Sequence, residues 1–239
     1  MITFKTLGTG SSGNAYILTV NNESILLEAG LKMNDIIKLN NYTLQGITDC
    51  LISHKHKDHS KAIKDVFNSG IAVTSNETVA DDSGLNINKV EYNTWQPLKN
   101  RNFVIYPVLG FHDTECTLYK IFYRPLKISF AFIIDTESIP INFNSDYYFV
   151  ECNFDEETLF NNSEECNASV GIKNSRVINT HLSLENIKTY FNGIENHIIK
   201  SVVLLHQSKD NASVQALQSL EQQLNIPVYL AGQTKLINL

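Results

Sequence analysis

The hexapeptide His54-Lys55-His56-Lys57-Asp58-His59 places three histidines and one aspartate within six residues. It follows the apolar stretch Cys50-Leu51-Ile52-Ser53, which predicts a buried strand over residues 49–53, and it precedes a helical pattern over residues 60–67. A loop between a strand and a helix often carries functional side chains, because the rigid elements on either side hold it in place. Imidazole and carboxylate groups are ligands that zinc, manganese and iron accept. The hexapeptide therefore predicts a metal site.

The spacing inside the hexapeptide indicates more than one metal ion. His54 and His56 are two residues apart, so both side chains can point to one side of an extended segment. Asp58 and His59 depart from that line and can serve a second ion. Two ions about 3.5–4 Å apart are the usual arrangement for phosphoester hydrolysis.

The composition is typical of a folded globular protein: 43% of the 239 residues are hydrophobic and 18% are charged. A net charge of −6 argues against a protein that coats nucleic acid by bulk electrostatics, but it does not exclude a local basic groove. We find neither a membrane-length apolar stretch nor the basic and apolar regions of a signal peptide, and expect a cytoplasmic protein without membrane contact. The absence of a CxxC pair predicts reduced, mostly buried thiols for Cys50, Cys116, Cys152 and Cys166.

Short apolar runs broken by turn residues predict many strands with helices between them. Asn21-Asn22 is expected to form a tight turn between two strands, and Ser60 is expected to cap the helix over residues 60–67. In the C-terminal third, strands and helices alternate. The predicted strands there are residues 147–150, 177–178, 202–205 and 227–230, and the predicted helices are residues 155–160, 183–191 and 212–223. This pattern favours a layered α/β architecture.

A strand, the pattern HxHxDH and a helix together resemble the signature of the metallo-β-lactamase fold metallohydrolases. The turn Gly8-Thr9-Gly10-Ser11-Ser12-Gly13-Asn14 resembles the first turn of the YycJ/WalJ branch, whose members are described as exonuclease-like, and the chain also has tRNase Z-like features. The resemblance implies one domain over residues 1–239. Its expected fold is a four-layer αββα sandwich, with two mixed β-sheets flanked by helices.

Further segments extend the resemblance along most of the chain: Glu28-Ala29-Gly30, Gly110-Phe111-His112-Asp113, Phe132-Ile133-Ile134-Asp135-Thr136, Asn179-Thr180-His181-Leu182-Ser183 and Leu204-Leu205-His206-Gln207-Ser208. By resemblance, the first metal is expected on His54, His56 and His112. The second is expected on Asp58, His59 and His206, with Asp135 bridging both. The implied cofactors are two divalent ions, Zn²⁺ or Mn²⁺. Among the seven histidines, only His197 and the candidate acid His181 are not implied as ligands.

Asp135 also stands out by its position. It follows the apolar run Phe130-Ala131-Phe132-Ile133-Ile134, so it is expected to emerge from a buried strand. An unpaired carboxylate there would be costly, and a metal ion would offset that cost.

The implied mechanism is hydrolysis by a hydroxide that bridges the metals, with Asp58 orienting the nucleophile. A general acid must protonate the leaving oxygen, and the resemblance points to His181; the alternative role for His181 is substrate binding. Glu151, after the predicted strand over residues 147–150, is a candidate partner that orients His181.

The substrate stays open between several classes. The Gly-Ser-rich turn and the His-Leu-Ser segment favour a phosphodiester, either nucleic acid or a small cyclic nucleotide, and the net charge slightly favours the smaller one. A thioester or lactone hydrolase uses the same ligands. A non-enzymatic scaffold is disfavoured because all seven ligand candidates are present. Dimers are common for this fold, so a homodimer is one expected assembly.

The sequence differs from the resembled branch at two positions, and these differences bear on the substrate assignment more than on the metal-site assignment. Phe154 stands where a histidine is expected, and Thr180 replaces a glycine before His181. Lys55, Lys57 and Lys61 flank the hexapeptide and are candidates for contacts with phosphate.

Overall fold

Two mixed β-sheets form the centre of the fold. The computed structural model of the chain describes residues 1–164, 177–194, 199–208 and 210–239, so the predictions for Cys166 and His197 lie outside the described residues. Within those ranges each sheet has seven strands. The first sheet has the order β14-β1-β2-β3-β4-β5-β6 and consists of β1 (Ile2–Gly8), β2 (Ala15–Val20), β3 (Glu23–Leu27), β4 (Ile47–Leu51), β5 (Ala72–Ser75), β6 (Asn88–Lys89) and β14 (Leu236–Asn238).

The second sheet has the order β13-β12-β11-β10-β9-β8-β7. It consists of β7 (Gln96–Pro97), β8 (Phe103–Gly110), β9 (Cys116–Tyr123), β10 (Ile128–Ile133), β11 (Tyr147–Glu151), β12 (Ser201–Leu205) and β13 (Val228–Leu230). The helices are α1 (Met33–Leu39), α2 (Lys57–Ser60), α3 (Ile63–Asn68), α4 (Glu77–Ser83), α5 (Glu156–Glu164), α6 (Leu184–Asn192) and α7 (Val214–Leu224). In the described part of the chain, none of them is both long enough and apolar enough to span a membrane.

The two sheets pack face to face around an aromatic core. Phe4 of β1 stacks on Phe149 of β11 with ring centroids 4.0 Å apart, and both rings are fully buried. Full burial of a side chain of this size contributes about 1.5–3 kcal/mol. Helices cover the outer faces: Ile36 and Val66 belong to the apolar cluster outside the first sheet, and Phe191 to the one outside the second. The predicted four-layer αββα sandwich is confirmed.

The direction of the strands brings the candidate residues to one edge. The strands β10, β11 and β12 are parallel neighbours, so their carboxyl ends lie together. Asp135 follows β10, Glu151 ends β11 and His206 follows β12. In the first sheet β4 lies parallel to β3 and β5, and it leads into the hexapeptide. In open α/β sheets, ligands bind outside the carboxyl ends of the strands.

The predicted turn at Asn21-Asn22 is confirmed, since both residues have a positive φ, 50° and 68°. The predicted N-cap at Ser60 is wrong. The hexapeptide itself winds into α2, so Ser60 lies inside that turn and its hydroxyl donates to the Lys55 carbonyl at 2.8 Å. Ala62 takes the N-cap position of α3 instead.

The predicted strand at Val177-Ile178 is also wrong. Both residues lie in a helical turn, in which the His181 amide donates to the Val177 carbonyl at 3.0 Å. A pair of apolar residues is too short for its periodicity to distinguish a strand from a helical turn.

Candidate metal centre

The hexapeptide borders a cleft of about 590 Å³ at the carboxyl ends of the strands. Six of the predicted catalytic or metal-binding residues line this cleft: His56, Asp58, His112, Asp135, His181 and His206. The Gly-Ser turn also contributes Thr9, Gly10, Ser11 and Ser12 to the lining. The cleft therefore combines residues from both ends of the chain.

Three of the predicted ligands form one cluster. The Nε2 atom of His54 lies 3.0 Å from Nδ1 of His56, which lies 3.3 Å from Nε2 of His112. The Nδ1–H of His112 donates to the Thr180 carbonyl at 2.9 Å, because a carbonyl oxygen only accepts. In the neutral ring, Nε2 of His112 then carries a lone pair that faces the cluster. Burial, and then the neighbouring His59, hold the pKa of His54 well below its ordinary value, which favours the neutral form that binds metals.

The remaining predicted ligands form a second cluster. The Nε2 atom of His59 lies 3.1 Å from Oδ2 of Asp135 and 3.5 Å from Oδ2 of Asp58. His206 approaches from the other side, with Nε2 4.0 Å from Oδ2 of Asp58. Asp135 lies between the two clusters, since its Oδ2 is also 3.8 Å from Nε2 of His54.

The charges of the second cluster are strongly coupled. Burial alone would raise the pKa of Asp135, but His206 and His59 outweigh it and hold that pKa well below its ordinary value. Burial likewise opposes protonation of His206, yet Asp135 and Glu151 raise its pKa to about 10. Without a metal ion, a proton on His206 therefore compensates part of the buried negative charge.

Two buried atoms of the second cluster test whether the residues fit a metal ion. Within the described residues no hydrogen bond of acceptable geometry reaches Oδ1 of Asp135, although Nδ1 of His206 is 2.5 Å away. Nδ1 of His59 also lacks a hydrogen bond and lies 3.6 Å from Oε2 of Glu28, so Nε2 is the ring atom turned toward Asp58 and Asp135. Buried charges are stabilised by pairing or by metal coordination. Imidazoles and carboxylates that converge within 4.8 Å in each cluster fit divalent cations.

The backbone around these residues is strained. Glu28, Asp135 and His206 adopt positive φ angles of 63°, 45° and 52°. Such conformations cost about 1–3 kcal/mol each in non-glycine residues and cluster at functional sites. Here the sharp turns directly after β3, β10 and β12 direct the three side chains toward the centre.

Gly30, three residues after β3, lets the hexapeptide lie close to the segment that follows this strand. A Cβ atom on Gly30 would lie 1.6 Å from the carbonyl oxygen of Asp58, so only glycine permits this approach. Neighbouring hydrogen bonds close the contact: Asn14 N–H donates to the Asp58 carbonyl at 2.7 Å, and Ala29 N–H to the His59 carbonyl at 2.8 Å. Glu28 accepts from the Ser53 amide at 3.1 Å. Burial raises the pKa of Glu28 despite these contacts and the charge of His59.

His181 and Glu151 form a hydrogen-bonded pair beside the second cluster. Nδ1 of His181 lies 2.5 Å from Oε1 of Glu151, and the carboxylate can only accept, so the ring donates. The other carboxylate oxygen of Glu151 accepts from the amides of Thr136 and Leu182 at 3.2 and 3.4 Å. Burial opposes protonation of His181, but Glu151 outweighs it and raises the pKa of His181.

Several residues that the sequence analysis did not select lie close to the clusters. Oδ1 of Asp113 is 3.3 Å from Nε2 of His56 and 3.2 Å from Nε2 of His112, at the rim of the site. Nδ2 of Asn14 lies 3.1 Å from Nε2 of His59. Asp113 directly follows the candidate ligand His112, and this position in the sequence could have indicated that Asp113 lies near the site. Nothing in the sequence pattern places Asn14 beside His59, 45 residues away.

Only some of the residues that flank the candidate ligands in sequence also line the cleft. Lys57 lines the cleft, but its Nζ pairs with Asp82 at 2.8 Å, and neither Lys55 nor Lys61 is among the lining residues. Phe154, which stands in place of an expected histidine, is buried beside Ser183 and does not line the cleft. Thr180 contributes its backbone carbonyl to His112.

The two mixed sheets, the flanking helices and a His/Asp centre at the carboxyl ends of the strands define the metallo-β-lactamase fold. Solved structures share it over nearly the whole chain. The metallo-β-lactamase fold protein YhfI from Bacillus subtilis superposes with a TM-score of 0.72 at 14% identity, covering 99% of this chain and 98% of that one. Human tRNase Z, short form, superposes with a TM-score of 0.65 at 15% identity, covering 99% and 98%.

At the level of sequence, this chain is similar to exodeoxyribonuclease WalJ from Streptococcus pneumoniae. The two are 25% identical over 172 residues, which cover 65% of this chain. The match spans 64% of the length of that curated relative. No family model matches the chain.

Proposed function

We propose that this chain is a metal-dependent hydrolase that acts as a phosphodiesterase on nucleic acid, in an exonuclease-like manner. The observation that carries the proposal is the convergence of two His/Asp clusters on one cleft, with the His181–Glu151 pair beside them. The similarity to a relative described as an exodeoxyribonuclease supports nucleic acid as the substrate class.

Two divalent ions, Zn²⁺ or Mn²⁺, are the proposed cofactors. His54, His56 and His112 would hold one ion, and Asp58, His59 and His206 the other, with Asp135 shared. Bound there, the ions would activate water near neutral pH and neutralise the charge that develops on the phosphate. Asp58 is half-buried at the cleft surface, and His59 and His206 outweigh its burial and lower its pKa, so it is an ionised acceptor that can orient an attacking water.

The chain itself would supply the proton that the leaving oxygen needs. His181 lines the cleft and is held through Nδ1 by Glu151, so Nε2 is the atom free to donate. The raised pKa of His181 keeps this proton in place near neutral pH. General acid catalysis of this kind contributes about 10²–10⁴-fold to the rate. Glu151 acts here as the residue that positions His181.

A small cyclic nucleotide is the second candidate substrate. The cleft of about 590 Å³ is within the range of small-molecule sites, about 300–1,000 Å³. The net charge of −6 and the pairing of Lys57 with Asp82 also weaken the case for a long polyanion. A polymer requires contacts outside the cleft, whereas a mononucleotide does not.

Hydrolysis assays distinguish these substrates. Purified protein is supplied with Mn²⁺ or Zn²⁺ and tested on bis(p-nitrophenyl) phosphate, single-stranded DNA and a set of 3′,5′-cyclic nucleotides. The proposal predicts cleavage of the chromogenic ester and of DNA. Cleavage of a cyclic nucleotide without DNA would select the second candidate. A protein that binds two metals and cleaves only thioesters or lactones would overturn the phosphodiesterase assignment.

Three further assignments are part of the proposal. Residues 1–239 are assigned to one hydrolase domain, and a homodimer is the proposed assembly. A cytoplasmic location is consistent with Cys50, Cys116 and Cys152, which are buried free thiols.

A further inference from the structure

The Gly-Ser turn near the N-terminus is linked to the second cluster by a continuous chain of hydrogen bonds. The backbone N–H of His206 donates to Oγ1 of Thr9 at 2.8 Å. Oγ1 of Thr9 lies 2.8 Å from the hydroxyl of Tyr16, and this hydroxyl donates to Oδ1 of Asn14 at 2.9 Å. The side-chain nitrogen Nδ2 of Asn14 lies 3.1 Å from Nε2 of His59.

The directions of the bonds that run from His206 to Asn14 are fixed by what each group can donate. The backbone amide of Gly10 also contacts the Asn14 side chain, at 2.9 Å, and an amide N–H can only donate. The Asn14 atom that faces Gly10 and Tyr16 is therefore the oxygen, and the nitrogen faces His59. Tyr16 uses its one proton on Asn14, so Thr9 donates to Tyr16 and accepts from His206.

Thr9 is partly buried and lines the cleft. Asn14 and Tyr16 are fully buried, and neither belongs to the lining of the cleft. Asn14 also reaches the Asp58 carbonyl, at 3.4 Å from its Nδ2 and 2.7 Å from its backbone nitrogen. One set of three side chains thereby contacts Asp58, His59 and His206, which are the residues of the second cluster other than Asp135.

The first cluster has separate anchors. Nδ1 of His54 pairs with the Ser53 hydroxyl at 2.8 Å, and Nδ1 of His112 with the Thr180 carbonyl at 2.9 Å. Among the described residues, no hydrogen bond joins Thr9, Tyr16 or Asn14 to His54, His56 or His112.

We infer that Thr9, Tyr16 and Asn14 are positioning residues for the second metal alone, and that they hold His59 and His206 at the separation that this metal requires. The inference rests on the proposed two-metal site. The bond from Thr9 is central, since it restrains the backbone of His206 at a positive φ. Loss of groups that orient metal ligands commonly weakens metal affinity by about 10–100-fold.

Titration of metal-free protein with Mn²⁺ or Zn²⁺ in a calorimeter tests this inference. The variants are Thr9→Val, Tyr16→Phe and Asn14→Ala, with Thr9→Ser as the rescue that restores the hydroxyl. Tyr148→Phe is the matched control: Tyr148 is equally buried, but its hydroxyl accepts from the Ser145 amide and is outside this chain of bonds. Thermal unfolding of each metal-free variant verifies that it is folded.

The expected result is two metal equivalents in the native protein and in the Tyr148→Phe and Thr9→Ser variants. In Thr9→Val, Tyr16→Phe and Asn14→Ala, binding of the second equivalent weakens about 10–100-fold while the first keeps its affinity. Equal weakening of both equivalents, or no weakening in folded variants, overturns the inference. Selective loss of the second equivalent in a protein that hydrolyses no phosphodiester would support the inference and contradict the proposed function. Native protein that binds a single equivalent overturns both.

Discussion

Glu151, the last residue of β11, and His181, which precedes α6, are joined by a hydrogen bond of 2.5 Å between Oε1 and Nδ1, although they lie 30 residues apart in sequence. The same carboxylate oxygen lies 3.2 Å from Nδ1 of His206. Glu151 thus connects the candidate general acid to a candidate metal ligand, and its charge helps to raise the pKa of both.

Replacing Glu151 by Gln keeps the size of the side chain and removes its charge. Burial lowers the pKa of His181 and the charge of Glu151 raises it, so the variant should bring that pKa down. A general acid works only while protonated, so the alkaline limb of the kcat/KM profile should move to lower pH. A profile measured on DNA checks this, and an unchanged alkaline limb would exclude His181 as the acid that Glu151 controls.

His181→Ala should slow hydrolysis of DNA by about 10²–10⁴-fold, because the leaving sugar oxygen needs a proton. Bis(p-nitrophenyl) phosphate releases p-nitrophenolate, a stable anion, so its hydrolysis should fall much less. The comparison of the two rates is the measurement, with metal content determined in parallel. An equal loss on both substrates, or loss of metal, would make His181 a ligand or a structural residue.

His56→Ala and Asp58→Ala should each abolish hydrolysis while the fold stays intact, because both residues belong to the candidate ligand sets and line the cleft. Circular dichroism and thermal unfolding verify the fold. Asp82→Ala is the control: it removes a carboxylate that pairs with Lys57 at the surface and touches neither cluster. Normal activity in either cleft variant would refute the site.

Gly30→Ala should strongly destabilise the protein or displace the hexapeptide, since the added Cβ would lie 1.6 Å from the Asp58 carbonyl oxygen. Overpacking without room to adjust typically costs about 1–3 kcal/mol and occasionally more. Gly193→Ala is the matched control, because its nearest contact would be an ordinary 3.5 Å. Chemical denaturation compares the two, and similar stabilities would show that the contact between Gly30 and Asp58 is not close.

Metal binding should release protons at pH 7. Burial disfavours the protonated form of His206, but Asp135 and Glu151 raise its pKa to about 10, so the metal-free ring is protonated at neutral pH. A metal ion binds the neutral ring and must displace that proton. Calorimetry in buffers of different ionisation enthalpy measures the release. A binding enthalpy independent of the buffer would argue against His206 as a ligand.

The sequence predicts the strands where apolar residues form clear runs, and the metal ligands where histidines and aspartate cluster. The hexapeptide and the apolar runs before Asp135 and His206 led to the strand ends that meet in the structure, and the four-layer fold followed from the resemblance. The predictions are wrong where two different local structures are compatible with the same sequence pattern. The pattern predicts Ser60 as a helix cap, whereas the hexapeptide itself enters a helical turn that ends at Ser60.

The contacts between distant segments could not be predicted in this way. Asn14 meets His59 and Thr9 meets His206 only because β1 and β2 lie in one sheet and β12 in the other, with their ends at the same edge. Sheet order and register decide such contacts, and neither follows from the periodicity of a single strand. Asp113 is not among the predicted ligands because the resemblance assigns that role to its neighbour His112.

The central claim is that two metal ions together make this cleft a phosphodiesterase. Its most direct test is the hydrolysis of bis(p-nitrophenyl) phosphate by chelated protein, as Mn²⁺ is returned in measured equivalents. We expect negligible hydrolysis in the metal-free protein and a rate that rises as the second equivalent binds. Full activity without metal, or no hydrolysis with both equivalents bound, would contradict the claim.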